Sequence, residues 1–155
     1  KNQIVLIDFG VKIDNYCSDM TRTVFFGSAK PEFKRIYNIV LEAQQKAIEY
    51  IKKQSSIVKS QLLTSSIDKT AREHIISQGF PTIPHSLGHG IGIEVHESPR
   101  LSQSSKEILK KGNVFSIEPG IYIPGFGGVR IEDLFYYDGK NAQLISHANK
   151  GIIEL

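Results

Sequence analysis

The sequence predicts an α+β fold in which helices pack on one face of an antiparallel sheet. The order of the apolar patterns along the chain leads to this prediction. The chain starts with two apolar runs typical of a β-hairpin, continues through two amphipathic helices, and ends in a series of short strands. Strands and helices thus come in blocks, which favours α+β architecture over alternating βα units. At 155 residues, a single domain is expected.

The predicted hairpin occupies the first part of the chain. Residues 4–9 form an apolar run that closes at Gly10, and this pattern predicts a well-buried strand. Asp14 and Asn15 are suited to the turn, because both residue types tolerate positive φ. Residues 21–26 are then expected to form the returning strand.

Helical periodicity follows the hairpin. Pro31 suits a first helical position, and apolar residues recur at helical spacing until the pattern ends near Lys53. Residues 65–68 resemble a capping box with an acidic residue in its fourth position, and Gly79 suits a C-terminal cap. A second helix is therefore expected over about residues 67–78.

The last third of the chain predicts short elements. We expect a short helix over residues 104–111, followed by a strand over residues 113–118. A glycine-rich turn at residues 125–128 leads into a strand over residues 129–136, and a last strand covers residues 142–145.

Composition excludes several classes of protein. No apolar run approaches the roughly 18 residues that a membrane span needs. The net charge of +3 is dispersed, and the basic residues between Lys30 and Arg72 alternate with apolar ones, as on a solvated helix face, so no nucleic acid partner is expected. The single Cys17 excludes an internal disulfide and fits a reducing compartment, so a cytoplasmic location is expected.

Three of the five histidines lie within residues 85–96, among glycines. A hydrophobic core has little use for three imidazoles, and a solvated loop has little need of so much glycine. The segment therefore predicts a site in which His89 binds a metal ion while His85 and His96 face a substrate. The His-x-x-x-His spacing of His85 and His89 is by itself only a weak indication of zinc.

Asp8 ends an apolar strand, where a buried carboxylate is unfavourable without a partner or a cation. Across a two-residue turn, Asp19 falls on the same face of the hairpin. It is directly opposite Asp8 if residues 13–14 form the turn and diagonal to it if residues 14–15 do, within about 8 Å. Alternatively, Asp8 is a turn residue at a strand end and Asp19 a solvated hairpin residue.

Further carboxylates come from the last strands. Glu118 ends a strand just before a Pro-Gly pair. Arg130 and Glu132 are two apart on one predicted strand, so both point the same way, whereas Asp133 points away. This favours Glu132 as the functional carboxylate. An ion pair between Arg130 and Glu132 is the alternative.

With His89, these acids make a set of four carboxylates and one imidazole. Oxygen-rich ligands suit Mn²⁺, and the imidazole also tolerates Co²⁺ or Zn²⁺. Charge balance favours two ions, because two divalent cations neutralise four carboxylates. Two ions roughly 3.5–4 Å apart can share a bridging water and hold it as hydroxide, the expected nucleophile, near neutral pH.

The motifs that carry these residues are, in chain order, Leu-Ile-Asp8-Phe-Gly, Cys-Ser-Asp19-Met-Thr-Arg-Thr, His85-Ser-Leu-Gly-His89-Gly-Ile-Gly, Val-His96-Glu, Ile-Glu118-Pro-Gly-Ile-Tyr122 and Gly-Val-Arg130-Ile-Glu132-Asp. They resemble the motifs of the pita-bread (creatinase/aminopeptidase-like) metallopeptidases of the M24 type. Within this group the chain is similar to the X-Pro dipeptidase (prolidase) and aminopeptidase P branch. The resemblance follows the family order and spans almost the whole chain.

The resemblance implies a curved antiparallel sheet with helices on its outer face, and it implies roles for the ligands. Asp8 would bind one metal ion, and His89 and Glu118 would bind the other. Asp19 and Glu132 would bridge both ions. The family usually works with Mn²⁺ or Co²⁺ and is often a homodimer.

It also implies roles toward a proline-containing peptide. His96 would contact the substrate near the scissile carbonyl, and Glu118 suits the transfer of a proton to the leaving nitrogen. His85 and Arg130 would shape the proline-side pocket and hold the carboxyl end of the substrate, with Tyr122 supporting the same region. His85, His96 and Glu118 are thus the expected catalytic residues.

Two alternatives stay open. The first is a methionine or general aminopeptidase of the same fold, although methionine aminopeptidases carry Gln-x-Glu where this chain has Arg130-Ile-Glu132. The second is a non-catalytic pita-bread module that binds peptides or proteins, a kind of relative that tends to lose the metal ligands. The choice between a dipeptidase and aminopeptidase P is also open.

The start of the chain differs from the family pattern. The family fold begins well before its first metal-binding aspartate, whereas only about a strand's length precedes Asp8 here. Residues 1–155 are therefore expected to be an N-terminally truncated metallopeptidase catalytic domain.

Overall fold

A computed structural model describes residues 3–57 and 61–155. These residues include two helices, α1 (Pro31–Ser55) and α2 (Thr64–Ser77). The strands are β1 (Gln3–Phe9), β2 (Lys12–Ile13), β3 (Tyr16–Cys17), β4 (Met20–Phe26), β5 (Gly88–Gly90), β6 (Glu97–Leu101), β7 (Val114–Ile117), β8 (Gly120–Ile123), β9 (Gly127–Arg130), β10 (Asp133–Tyr137) and β11 (Ala142–Leu144). These strands pair antiparallel. The predicted α+β class is confirmed.

The described strands form one five-stranded sheet and three two-stranded ladders. The larger sheet has the order β11-β10-β7-β5-β6, and the ladders join β1 to β4, β2 to β3 and β8 to β9. Strands β1 and β4 also contact β9, and β4 contacts β10. The ladders therefore continue the layer of the larger sheet.

The helices cover one face of this layer. Helix α1 contacts β8, β9 and β11, while α2 contacts β6 and α1. The buried apolar side chains of both helices and of the strands form one core, which includes Val129 and Ile131 as predicted. Among the described residues, neither helix combines the length and the apolar character needed to cross a membrane.

The hairpin turn lies where the sequence predicts it, because Asp14 and Asn15 have φ of 49° and 69°. The prediction that the first strand is well buried is wrong. Within the described residues β1 pairs only with β4, and the outer side of β1 remains open. The side chains of Val5, Ile7 and Phe9 share one face of β1 and are 41%, 43% and 51% exposed.

Helix α1 begins at Pro31 as predicted and extends slightly past Lys53. Helix α2 begins earlier than predicted, at Thr64, and Gly79 follows its end with a φ of +84°. This left-handed conformation suits glycine at a helix C-terminus, so the prediction of the cap is confirmed.

The predicted capping box is wrong, because α2 has Leu63 at its N-cap and no capping side chain. Its acidic residue, Asp68, is fully buried inside the helix instead. The Asp68 carboxylate accepts hydrogen bonds from the Arg72 side chain and from the backbone N–H of Leu87. These hydrogen bonds, one of them to a residue distant in sequence, explain why an acidic side chain is buried at this position.

The predicted helix over residues 104–111 is also wrong. This segment consists of turns and an isolated bridge between Leu63 and Ile108. Its Glu107 accepts hydrogen bonds from the Ser98 hydroxyl and the Arg100 backbone N–H, both at 2.6 Å. These contacts bind the segment to β6 in place of a local helix. The predicted strand over residues 129–136 is divided into β9 and β10.

Candidate metal centre

The structure brings the five predicted metal ligands together. A first cluster of donor atoms comes from His89, Glu118 and Glu132, and a second comes from Asp8, Asp19 and Glu132. Asp19, His89 and the exposed His96 form a third. Within each cluster the donor atoms lie within 4.8 Å of one another. Glu132 belongs to the first and second clusters, and the third cluster shares His89 with the first and Asp19 with the second, so these sets of donors form one centre.

The register of the hairpin explains how Asp8 meets Asp19. Asp8 is paired with Thr21, so Asp19 is diagonal to Asp8, the arrangement expected for a turn at residues 14–15. Gly10 allows the chain to turn away from β1 here. A Cβ atom at Gly10 would lie only 2.1 Å from the Ser18 carbonyl oxygen.

Glycines around His89 permit a close approach of backbones. A Cβ atom on Gly88 would lie 2.0 Å from the Ser116 carbonyl oxygen, and one on Gly90 would lie 2.2 Å from the Ser98 carbonyl oxygen. Strand β5 therefore fits between β7 and β6 only because these positions are glycine. This explains the glycines that accompany the histidines.

The imidazole of His89 is oriented for metal binding. Its Nδ1 lies 3.1 Å from the Gly90 carbonyl oxygen, so Nδ1 carries the proton and Nε2 is left as the donor atom. Nε2 lies 3.3 Å from Glu118 Oε1 and 3.7 Å from Asp19 Oδ2. The Ser116 hydroxyl accepts a hydrogen bond from the His89 backbone N–H and donates one to Glu118.

Glu132 is the most buried of the five ligands, with 2% exposure. Its carboxylate accepts a 2.6 Å hydrogen bond from the Thr21 hydroxyl. The neighbouring Asp133 points away, as predicted, and forms an ion pair with Arg22. The alternative was an ion pair between Arg130 and Glu132. In the structure, Arg130 instead forms its ion pair with Asp8.

The electrostatics of the centre fit a bound cation. Burial and the nearby Glu118 carboxylate raise the pKa of Glu132 to about 8. Burial and the nearby Asp8 carboxylate also raise the pKa of Asp19. Burial alone would lower the pKa of His89, but its hydrogen bond to Glu118 and the surrounding carboxylates raise it. A divalent cation would stabilise all of these groups in their ligating forms.

The predicted substrate-facing residues form a row beside the ligands. Arg130 Nη1 donates to the Tyr122 hydroxyl at 3.0 Å, and that hydroxyl lies 2.9 Å from His85 Nε2. His85 Nδ1 lies 2.8 Å from the Ser86 carbonyl oxygen, so the proton is assigned to Nδ1, and Tyr122 donates to Nε2. Burial raises the pKa of Tyr122, so its hydroxyl keeps its proton.

His96 is exposed at the mouth of the site. Its ring meets the ring of His89 edge-on, with centroids 4.2 Å apart. A cavity of about 610 Å³ connects three of the ligands with three of the substrate-facing residues. Its lining comprises Asp8, His85, Ser86, His89, His96, Glu97, Ser98, Arg100, Glu118 and Arg130.

Sequence reasoning missed several side chains of the site. Thr21 hydrogen-bonds Glu132 and accepts a hydrogen bond from Arg130, and Ser116 joins His89 to Glu118. Arg100 lines the cavity and donates to the Ser86 hydroxyl. The hairpin register would have found Thr21, because Thr21 is the partner of Asp8. The other two contacts depend on strands that are distant in sequence.

Fold and site together define a class of protein, a metal-binding domain of the pita-bread type. Comparison with known proteins specifies the family. The model of metallopeptidase family M24 matches residues 1–138, so the chain belongs to this family.

Individual relatives agree with this assignment. The chain is 44% identical over 151 residues to an uncharacterized peptidase of Staphylococcus haemolyticus, covering 97% of this chain and 41% of the relative. It is also similar to an Xaa-Pro dipeptidase from Bacillus anthracis (TM-score 0.88, 41% identity). A third relative is an X-Pro aminopeptidase from Thermotoga maritima (TM-score 0.87, 37% identity). Both structural matches cover 98% of this chain and 41% of the other, so the chain spans about two fifths of these relatives.

Proposed function

We propose that this chain carries the catalytic centre of a two-metal exopeptidase that hydrolyses peptide bonds involving proline, either as an X-Pro dipeptidase or as an Xaa-Pro aminopeptidase. The observation that supports two ions is that the first and second donor clusters together contain all five predicted ligands and meet at the Glu132 carboxylate. Asp8 would hold one ion, His89 and Glu118 would hold the other, and Asp19 and Glu132 would serve both. Two divalent charges balance the four carboxylates.

The donor set suits Mn²⁺ best, with Co²⁺ or Zn²⁺ as alternatives, because four of the five donors are carboxylates. When bound, such ions polarise the scissile carbonyl and lower the pKa of a water molecule. The protein's part is to fix the donors. Buried hydrogen bonds from Thr21 and Ser116 perform this function for Glu132 and Glu118.

Proton transfer is assigned to Glu118. Its carboxylate lies beside His89 and lines the cavity, so it contacts both the ligands and the space for the substrate. Glu118 accepts a proton from the attacking water and delivers it to the leaving nitrogen. His96, exposed at the cavity mouth, donates a hydrogen bond to the carbonyl oxygen as negative charge develops there.

Proline recognition is assigned to the row of His85, Tyr122 and Arg130. A proline ring offers no N–H and has a fixed φ, so its recognition depends on a rigid wall of the right shape. The hydrogen bonds through the Tyr122 hydroxyl supply this rigidity. Arg130 also orients the carboxyl end of the substrate. The names of the Bacillus anthracis and Thermotoga maritima relatives, both of which mention X-Pro substrates, support this assignment.

Peptide hydrolysis by the Mn²⁺-loaded chain tests this proposal. We expect turnover of Ala-Pro or of Ala-Pro-Ala above that of a Met-Ala peptide, and loss of turnover in EDTA. The dipeptide and the tripeptide distinguish a dipeptidase from an aminopeptidase. Preference for Met-Ala would support a methionine or general aminopeptidase instead. Binding of Ala-Pro without hydrolysis, at full Mn²⁺ loading, would support a peptide-binding module.

Location and assembly complete the proposal. A cytoplasmic location is supported by Cys17, which is a free and partly buried thiol. A homodimer is proposed on the family resemblance alone. Light scattering of the purified chain tests the dimer, and a monomeric mass would contradict it.

A further inference from the structure

A second polar cluster lies directly behind Glu132, on the side away from the cavity. Arg22 on β4 is its centre, and only 6% of Arg22 is exposed. Asp133 is fully buried and accepts hydrogen bonds from Arg22 and from Gln44. Lys150 forms a 2.9 Å ion pair with the same carboxylate. None of these residues lines the cavity of the metal centre.

All five N–H groups of the Arg22 guanidinium are used. Nη1 donates to the backbone carbonyls of Glu132 and Thr21, at 2.6 and 2.9 Å. Nη2 donates to Asp133 and to the Ala148 carbonyl, and Nε donates to the Asn149 carbonyl. An arginine with five directed donors can fill this role, whereas lysine cannot.

The location of this cluster explains its importance. Residues 131–132 form the break between β9 and β10, so the ladder supplies no partner for the Glu132 carbonyl. Arg22 supplies that partner, while the Glu132 backbone N–H donates to the Thr21 carbonyl. The Thr21 hydroxyl binds the Glu132 carboxylate. Two adjacent residues of β4 thus hold Glu132 at its backbone and at its side chain.

The C-terminal segment is part of the same arrangement. Residues 148–150 provide two carbonyl acceptors to Arg22 and the Lys150 ammonium to Asp133. Further along, Ile153 accepts a hydrogen bond from the Phe25 backbone N–H, so this segment runs beside β4. A chain of contacts thus joins Lys150 to Glu132 through Asp133 and Arg22.

We infer that Arg22 is a positioning residue for the metal centre, and that it holds Glu132 in the orientation that allows one carboxylate to serve the first and second donor clusters. Asp133 and Lys150 fix the orientation of Arg22. This inference rests on the proposed two-metal function. Residues that orient a ligand without touching the ion commonly change metal affinity by about 10–100-fold.

Titration with Mn²⁺, followed by calorimetry, tests the inference without a need for activity. In Arg22→Lys, which keeps the charge but loses the directed donors, we expect the affinity for the weaker Mn²⁺ to fall at least about tenfold. Lys150→Met should produce a smaller loss, because Asp133 keeps Arg22 as a partner. Lys34→Met, which breaks an exposed ion pair with Glu154, is the matched control and should leave the affinity unchanged.

Thermal unfolding in EDTA and in saturating Mn²⁺ separates positioning from a general structural role. Positioning predicts that Arg22→Lys lowers the unfolding temperature more in Mn²⁺ than in EDTA. If Arg22→Lys lowers the unfolding temperature equally in EDTA and in Mn²⁺ and leaves the Mn²⁺ affinity unchanged, the inference is overturned. If Arg22→Lys does not fold, unchanged affinity in Lys150→Met would overturn it. If the parent chain binds no Mn²⁺, the proposed function fails and the inference fails with it.

Discussion

The ionisation of the Glu132 carboxylate depends strongly on the groups around it. It is buried, it lies among three other carboxylates, and the Thr21 hydroxyl donates to it. Crowding of like charges in a poorly solvated space opposes ionisation, which is why its pKa is raised to about 8. The same crowding makes the site a strong attractor of divalent cations. The unfavourable electrostatics of the ligands and their function therefore have one physical origin.

The shared ligands give the sharpest prediction for single residues. Glu132→Ala and Asp19→Ala should each abolish the paired-metal state, because each removes a donor that both ions need. Inductively coupled plasma analysis after Mn²⁺ loading should find the parent with two ions and each variant with one or none. Asp138→Asn, a change at an exposed turn carboxylate, is the control. Two ions retained in either variant would show that the bridges are assigned incorrectly.

Tyr122 permits a separate test of the substrate wall. Tyr122→Phe removes the hydroxyl that joins His85 to Arg130 but leaves the ring in place. We expect KM for Ala-Pro to rise by about tenfold, equivalent to the ~1.4 kcal/mol of a lost hydrogen bond network. Mn²⁺ affinity should change much less than KM, since the Tyr122 hydroxyl bonds His85 and Arg130 and neither of these is a predicted ligand. A variant with unchanged KM would remove Tyr122 from proline recognition.

At the scale of elements, local patterns predicted what depends on neighbours in sequence. Helix α1 follows from Pro31 and its apolar period, and the diagonal placement of Asp19 follows from the turn at Asp14. The failed elements depend on distant contacts. Asp68 suggests a capping box until its partner Leu87 is known, and residues 104–111 suggest a helix until the contacts of Glu107 with β6 are known.

The site divides in the same way. Spacing placed Asp8 near Asp19, but it could not bring His89 to Glu118 or to Glu132, because those residues lie on separate strands. The family resemblance supplied that convergence. The sequence did not indicate a role for Arg22, because Arg22 acts by donating to backbone carbonyl groups. Every residue has such a group, so a sequence pattern cannot identify the acceptors.

Strand β5 yields a prediction that belongs to the element. Gly88→Ala places a Cβ atom 2.0 Å from the Ser116 backbone, so β5 and β7 must separate. We expect a loss of about 2–3 kcal/mol in the free energy of unfolding, measured in urea, because overpacking against backbone cannot relax easily. Mn²⁺ affinity should fall as well, since Ser116 orients His89 and Glu118.

Gly79→Ala is the matched control for this substitution. Gly79 also has a constrained backbone, with a φ of +84°, but no atom lies within 4 Å of its added Cβ. The Gly79→Ala variant should lose about 1–2 kcal/mol in the free energy of unfolding, because alanine is strained at positive φ. Its Mn²⁺ affinity should not change. Equal Mn²⁺ affinities for the two variants would mean that strand spacing does not control the site.

At the scale of the whole molecule, the shifted carboxyl and imidazole groups separate into two sets. Asp19, His89 and Glu132 at the metal centre have raised pKa values. Surface carboxyls that accept hydrogen bonds have lowered pKa values, and these are Glu107, Asp138 and Glu154. The three carboxyls with lowered pKa values stabilise the fold at any pH above their pKa values in the unfolded chain. This stabilisation is lost only in acid. Between about pH 5 and pH 8, the groups of the metal centre therefore dominate the dependence of the free energy of unfolding on pH.

This separation predicts how stability depends on pH when metal is removed. In EDTA, folded Glu132 keeps its proton up to a pKa of about 8, whereas the unfolded chain loses it near 4.5. The folded state then binds more protons, so the free energy of unfolding falls as pH rises through this window, by up to about 1.4 kcal/mol per pH unit for each such group. The raised pKa values of Asp19 and His89 act in the same direction.

Saturating Mn²⁺ should reverse the trend, because metal ions bind the deprotonated ligands and compete with protons. Urea unfolding at about pH 5.5 and about pH 7.5, with EDTA or with Mn²⁺, measures both slopes. Glu132→Gln should reduce the decline in EDTA, since its side chain does not titrate, while Asp138→Asn should leave that decline unchanged. A parent chain whose stability in EDTA rises across this range would contradict the account, because crowded carboxylates that resist ionisation cannot gain from the loss of their protons.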